Sequence, residues 1–382
     1  MNVNIQKSFD KLLDYIEAEN FQGYDPYDAL KSPFFKLPIL RTNKLVRFGT
    51  QQLVKRLPFN IRPLLFIPRG YNPVTLGLCV QAYAYLYKAE PEKKEKYLQK
   101  INYLVDELKE LIPKGFSGAC WGYDFDWEAR NVKIPAYQPT VVATGIITNA
   151  LFIAHQITGH QESAVLVKSA ANFIIKDLKR SYQGDFFCFS YSPFDQQQVL
   201  NASMKGVRLL AQAYYLKKDE EYLKLAKQAA DFVILHQNKD GSWGYSLAKT
   251  GGWTDNYHTG YILDCLDEYQ KLTQDQSFSD NLELGYSFYI KNFITKEGVP
   301  KFYDNNVYPI DCTAAAQTIL TTTRFGNIEI TEKVAKYMSK TMQNPNGSFK
   351  FRKFKNYTIT TSFMRWSDAW MFTALSNIKV SL

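Results

Sequence analysis

The chain has 382 residues and a formal net charge of +9, with 46% of its residues hydrophobic and 22% charged. That balance suits a globular protein with a sizeable core and excludes a disordered or collagen-like chain. Five scattered cysteines (Cys79, Cys120, Cys188, Cys265, Cys312) argue against a disulfide framework, and no uninterrupted apolar run reaches the roughly 18 residues of a membrane span.

The first residues, 1–17, are polar and mixed in charge, without the apolar stretch of a signal peptide, so the expected location is the cytoplasm. The positive balance serves solubility or marks an anionic partner such as a polyuronate, a phospholipid surface or nucleic acid. Basic residues gather at Lys44, Arg47, Lys55, Arg56, Arg62 and Arg69, and again over 350–355. No nucleic-acid signature accompanies them, so nucleic acid is not expected. The basic and apolar mix of 43–62 suits weak contact with a membrane surface.

In chain order, a helix is predicted over 5–18, then a Pro-punctuated stretch over 24–38, then the basic amphipathic segment. Residues 1–65 are expected to pack on the main domain (66–382) as an extension, because Pro58 and Pro63 interrupt any long interfacial helix. From about residue 60 a pattern recurs six times: a Gly-rich or aromatic turn, then an apolar helix with small residues near its start. The turns include 115–123, 184–190, 238–245, 297–303 and 344–351.

The helix starts superpose at Ala143-Thr144-Gly145, Ala202-Ser203, His258-Thr259-Gly260, Cys312-Thr313-Ala314 and Ser367-Asp368-Ala369, with an earlier copy near Gly77. Second amphipathic helices are predicted between them, over 162–178, 221–236 and 280–293. One repeat is therefore a helical hairpin of about 55 residues. Small residues at the inner-helix starts favour close approach around one axis, so the expected fold is all-α: a closed six-hairpin α/α toroid. Trp121, Trp243 and Phe349 occupy equivalent repeat positions and read as wedges between hairpins.

The strings Asn238-Lys239-Asp240-Gly241-Ser242-Trp243-Gly244 and Asp255-Asn256-Tyr257-His258-Thr259-Gly260-Tyr261 resemble the repeat motifs of terpenoid cyclases and protein prenyltransferase β-subunits. The six-hairpin period is equally similar to the six-hairpin glycosidases and toroid polysaccharide lyases. Trp121-Gly122-Tyr123-Asp124-Phe125-Asp126-Trp127 resembles uncharacterised toroid proteins of bacterial surface-polysaccharide loci. The prenyltransferase resemblance implies a zinc site with an Asp-x-Cys pair and a downstream His. His258 fits the last ligand, but Cys188 lacks its Asp and Asp311-Cys312 has the wrong spacing. The Asp-x-Asp-Asp acid of protonating terpenoid cyclases is also missing, as are a phosphate-cradling loop and a nucleotide fingerprint, so neither metal nor cofactor is expected.

In a toroid the loops before the inner helices crowd around one mouth. They carry Arg69; Tyr123, Asp124, Asp126, Trp127 and Arg130; Tyr191 and Asp195; Trp253, Asp255 and His258. Later loops add Tyr303, Asp304, Asp311, Arg352, Arg365, Trp366 and Asp368. Flat rings offer a face to pyranose C–H groups while carboxylates hold hydroxyls, as a sugar cleft needs. Asp124 and Asp126 share a face if their segment is extended; the alternative is that one caps a helix and the other pairs with Arg130. Asp255 reads as either the N-cap of a turn holding His258 or, with it, an acid–base pair. The expected function is cleavage of a glycosidic bond, by hydrolysis or elimination, in an acidic oligo- or polysaccharide. Asp124 or Asp126 would be the acid, His258 or Asp255 the base, and Arg130 and Arg365 the carboxylate clamps. An isoprenoid-handling toroid and a non-catalytic glycan-binding protein are the alternatives.

Overall fold

The computed structural model describes residues 2–128 and 133–381. Its helices in chain order are α1 (Val3–Ala18), α2 (Pro38–Thr42), α3 (Lys44–Arg56), α4 (Pro73–Ala89), α5 (Lys94–Glu110), α6 (Val141–Thr158) and α7 (Gln161–Lys176). There follow α8 (Leu200–Lys217), α9 (Glu220–Leu235), α10 (Asn256–Thr273), α11 (Ser279–Phe293), α12 (Cys312–Arg324), α13 (Ile328–Thr341) and α14 (Trp370–Ser381). A π-helical turn, Met364–Ala369, leads into α14.

Two kinds of helix alternate. The inner ones, such as α4 and α8, are buried on nearly every side. The outer ones bury one stripe: Tyr97, Ile101, Leu104, Val105 and Leu108 of α5 recur at spacings of three and four. α6 is the single described helix long and apolar enough to cross a membrane, and 72% of that stretch is buried inside the protein. Its apolarity is that of a core helix.

The inner helices α4, α6, α8, α10, α12 and α14 each pack on the next, and α14 packs back on α4, closing the ring. Small residues at the helix starts permit the approach. A Cβ on Gly77 would lie 2.9 Å from Ile147 Cγ1 of the next inner helix, and one on Gly145 would lie 2.7 Å from Lys205 Cβ. Trp121 and Trp243 are fully buried, and each indole N–H donates to a carbonyl near the end of the preceding outer helix, Leu108 O at 2.8 Å and Val233 O at 3.1 Å.

Five outer helices, α5, α7, α9, α11 and α13, are the hairpin partners of successive inner helices. The sixth outer place is taken by α1, from the other end of the chain. Its Ile5, Phe9, Leu12 and Ile16 are buried, Phe9 stacks on Phe372 of α14 at 5.9 Å, and Gln343 Nε2 just beyond α13 donates to Ser8 O. On its other side Glu17 accepts from Tyr83 and pairs with Lys100 of α5. The ring is built from both ends of the chain, and a boundary at residue 65 would cut through it.

The rest of the N-terminal segment lies across the loops at one end of the ring. Arg47 of α3 pairs with Glu128 at 2.7 Å, and Gln51 donates to Tyr27 O and Asp126 O while accepting from Glu128 N. The short strands Ile310–Asp311 and Arg352–Lys353 pair antiparallel and set Asp311 opposite Arg352.

Candidate active site

A cavity of about 250 Å³ opens where the inner helices begin. Its floor and sides come from the first two turns of inner helices: Val142 and Ile146 of α6, Asn201 of α8, Tyr257, His258 and Tyr261 of α10, Thr313 of α12, and Trp370 of α14. Loops supply Tyr27, Tyr123, Phe125, Trp127, Tyr191, Tyr245 and Trp253, and the π-helical turn before α14 supplies Arg365 and Trp366. The rings brace one another. Tyr245 lies flat on Trp253 (4.5 Å, 10°), Tyr123 on Phe125 (5.5 Å, 4°), and Tyr261 on Trp370 (5.7 Å, 28°).

Asp255 does two jobs at once. Its backbone is extended (φ −135°, ψ 167°), and Oδ1 accepts from His258 N at 2.9 Å, capping α10. Oδ2 accepts from His258 Nδ1 at 2.8 Å. In the neutral imidazole the fully buried carboxylate holds the proton on Nδ1, so that Nε2 is the nitrogen left to accept one. Tyr257 and Tyr245 wall the imidazole at 4.0 and 4.8 Å.

Tyr27 enters from the N-terminal segment and meets Trp127 and Trp366 edge-on at 6.0 and 5.8 Å. Burial alone would push its phenol up. Lys55 of α3, which donates to the phenol oxygen, and then Arg352 and Arg365 outweigh burial and hold it below the ordinary tyrosine value. The other tyrosines of the wall, Tyr123, Tyr191, Tyr245, Tyr257 and Tyr261, are all shifted up, first by burial. Tyr27 thus stands apart as the phenol most ready to exchange a proton.

Arg365 lines the cavity, but its charge is already matched. Nε and Nη2 donate to the two oxygens of buried Asp25 at 2.5 and 2.9 Å, and its guanidinium lies 4.7 Å from the centre of the Tyr123 ring. Asn201 Nδ2 is buried and has no hydrogen-bond partner, which makes it a donor in the wall with its capacity unused.

The structure places the sequence-predicted residues unequally. Asp255, His258, Tyr123, Trp127, Tyr191, Trp253, Arg365 and Trp366 meet at the cavity, with Asp255 behind His258. Asp124 and Asp126 do not. The segment alternates, so that Tyr123, Phe125 and Trp127 face the cavity while the acids face away. Asp124 is bound by Lys31 Nζ and Asn72 Nδ2, both at 2.7 Å, and Asp126 pairs with Lys133 at 3.0 Å. Gly122 permits this path: a Cβ there would lie 2.0 Å from Gln138 O.

Asp311 is fully buried away from the cavity, capping α12 through Ala314 N and pairing with Arg352 at 2.5 Å. Asp195 closes its own loop by accepting from Tyr191 N and Gln197 N. Arg69 is spent on Glu19 and Gln22 O at the outside of the ring. Arg130 lies outside the described residues. Sequence reasoning missed Tyr27, Phe125, Tyr245, Tyr257, Tyr261 and Trp370. The spacing of Tyr257 and Tyr261, four apart in one helix, was a signal that both share its inner face; nothing local marks Tyr27.

The described cavity wall therefore holds no carboxylate at all, and its proton-transfer groups are the His258 imidazole and tyrosine phenols, of which Tyr27 is the one held low. Among the described residues no three of His, Cys, Asp and Glu converge to bind a metal ion.

No protein-family model matches this chain, and no curated protein does. Solved structures do resemble it. The cellobiose 2-epimerase of Bacillus thermoamylovorans is 12% identical with a TM-score of 0.61, over 80% of this chain and 87% of that one. A family 76 α-mannanase of Bacteroides thetaiotaomicron is 12% identical with a TM-score of 0.58, over 80% and 85%. An unsaturated glucuronyl hydrolase specific for heparin is 15% identical with a TM-score of 0.56, over 80% and 85%. This chain accordingly shares the all-α toroid fold of these structures, among which are an epimerase and glycoside hydrolases.

Proposed function

We propose that this protein is a carbohydrate-processing enzyme whose ring-mouth cavity moves a proton on a bound sugar, epimerising or isomerising it. One observation carries this reading: the cavity combines an Asp255-oriented His258 with stacked aromatic walls and no carboxylate among its described lining residues. Hydrolysis of a glycosidic bond ordinarily needs two carboxylates about 5–10 Å apart across the bond, and the candidate acids Asp124 and Asp126 face the other way. Removal of a proton from carbon beside a carbonyl needs one positioned base instead. His258 Nε2 would take that proton and the electron pair would pass to the carbonyl oxygen. Tyr27, with its lowered phenol, would donate a proton to the opposite face of the same carbon as the carbonyl re-forms, and proton exchange with water would return His258 and Tyr27 to their starting forms. The rings of Trp253, Tyr257 and Trp366 would hold the sugar faces, and Asn201 Nδ2 a hydroxyl.

The test is incubation with a panel of reducing mono- and disaccharides in deuterated water. Deuterium should enter at the carbon beside the carbonyl, and His258→Gln should abolish the exchange; a panel without any exchange overturns the reading. A second reading, elimination in an acidic oligo- or polysaccharide, draws on the net charge of +9 and on Arg365 in the wall. It would use the same base and give unsaturated products absorbing in the ultraviolet. It is the weaker reading because Asp25 already neutralises Arg365. If neither chemistry occurs and glycans still bind, the cavity is a recognition site.

A further inference from the structure

The large hydrophobic side chains that the fold leaves outside are unevenly spread. Phe34, Leu45, Leu53, Phe59, Leu64 and Phe66 are all exposed, Leu45 at 81%, Leu64 at 76% and Phe66 at 68%. They come from one stretch of about thirty residues that folds on itself. Ser32 Oγ donates to Leu65 O, and the Phe34 and Phe66 rings meet edge-on at 6.1 Å. Six large apolar side chains left exposed by one short stretch that folds on itself are more than the single, scattered exposures expected of a soluble monomer.

Helix α3 shows how the surface is organised. Gln51 and Val54 are buried toward the ring, and Arg47 and Lys55 point the same way to reach Glu128 and Tyr27. The opposite side carries Leu45, Leu53 and Arg56, all exposed. The outer side of the helix thus has no work to do in the fold.

Its charge has one sign. Between Asp28 and Glu90 the sequence holds no acidic residue. Some basic residues of this stretch are already paired: Lys31 with Asp124, Arg62 with Asp28 and Arg69 with Glu19. Lys36, Arg41 and Arg56 remain exposed beside the apolar residues. A second protein would present both signs of charge and a fixed shape; a bilayer with anionic headgroups offers uniform negative charge above an apolar layer. We infer that this face, formed by residues 34–66, docks the protein on an anionic lipid surface, with the leucines and phenylalanines entering the headgroup boundary and the basic residues lying over the phosphates.

The full-length protein should co-sediment with vesicles of phosphatidylcholine mixed with phosphatidylglycerol, and not with phosphatidylcholine alone. Each basic residue drawn to the surface tightens binding by about fivefold, so the affinity should fall steeply as salt is raised. Leu45→Ser with Leu53→Ser should weaken binding by about tenfold or more while leaving the thermal melt in place, since both side chains are exposed. Leu235→Ser, at an exposed leucine of α9, should change nothing. Absence of binding to anionic vesicles, or binding that ignores both salt and the leucine pair, overturns the inference. So does a dimer in solution that the leucine pair dissolves, because the face would then belong to a second copy.

Discussion

Asp25 and Arg365 are 340 residues apart, yet they form a two-pronged ion pair beneath the cavity wall, both nearly out of water. Asp25→Ala would leave a guanidinium that is 7% exposed with no carboxylate. Two unit charges about 4 Å apart interact by about 4 kcal/mol at an effective dielectric near 20, and stranding one member of a buried pair typically costs about 3–5 kcal/mol. Tyr27 N also loses its acceptor, Asp25 Oδ1 at 3.0 Å, which adds about 1 kcal/mol. The single variant should therefore lose about 4–6 kcal/mol of stability. Arg365→Met keeps the apolar bulk against Tyr123 and Trp366 and strands the carboxylate, at about 3–5 kcal/mol. The double variant strands neither charge, so it should fall short of the sum by about 3 kcal/mol. Urea titrations of the four proteins followed by circular dichroism give the cycle directly. If the two losses add within about 0.5 kcal/mol, the pair is not coupled and the reasoning fails.

Asp255→Asn keeps an oxygen for the His258 N cap, so the melting temperature should stay within a few degrees, while turnover on any substrate identified by deuterium exchange should drop about a hundredfold as the imidazole loses its orientation. Burial first, against hydrogen bonds from Ser362 and Phe349 N, raises the Asp368 carboxyl to about 7. The folded chain then keeps a proton that the unfolded chain releases near pH 4, so stability should fall as pH rises from about 4 through about 7. Asp368→Asn should flatten that slope and raise the melting temperature at pH 8; an unchanged profile would show that Asp368 does not hold the proton. Gly77→Ala would press a methyl against Ile147 at 2.9 Å and should cost about 1–3 kcal/mol in a chemical melt, whereas Gly49→Ala in α3, with open space around it, should cost nothing.

The ring was legible because its signal repeats. Helix starts spaced by about 55 residues, each with a small residue where the next helix approaches, make the hairpins and their closeness readable without any single strong motif. The role of α1 was not legible. Its stripe of Ile5, Phe9, Leu12 and Ile16 announces an amphipathic helix, but a partner beyond residue 340 leaves no local trace. At the site, the pair Asp255 and His258 could be found because cap and imidazole lie within one helical turn. The acids misled for a physical reason: an Asp in a loop has many uses, and Asp124, Asp195 and Asp311 are spent on Lys31, a loop closure and a helix cap. Alternation predicted that Asp124 and Asp126 share a side, and only the fold could say that the aromatic side faces the cavity.

Closing the ring with its first helix fixes a schedule for synthesis. Ser8 and Gln343, which meet across the closure, are 335 residues apart. At about 5–20 residues per second, Ser8 in α1 waits about 20–70 s for Gln343 to be made. Through that interval the apolar stripe of α1 lacks Phe372 and the rest of α14, so nascent chains are most vulnerable at this stripe. A rearranged chain that begins near Asn20 and carries the α1 sequence after α14, joined by a short turn, would convert this longest-range contact into a local hairpin. It should keep the same ring and reach it sooner, because the slow loop closure is gone.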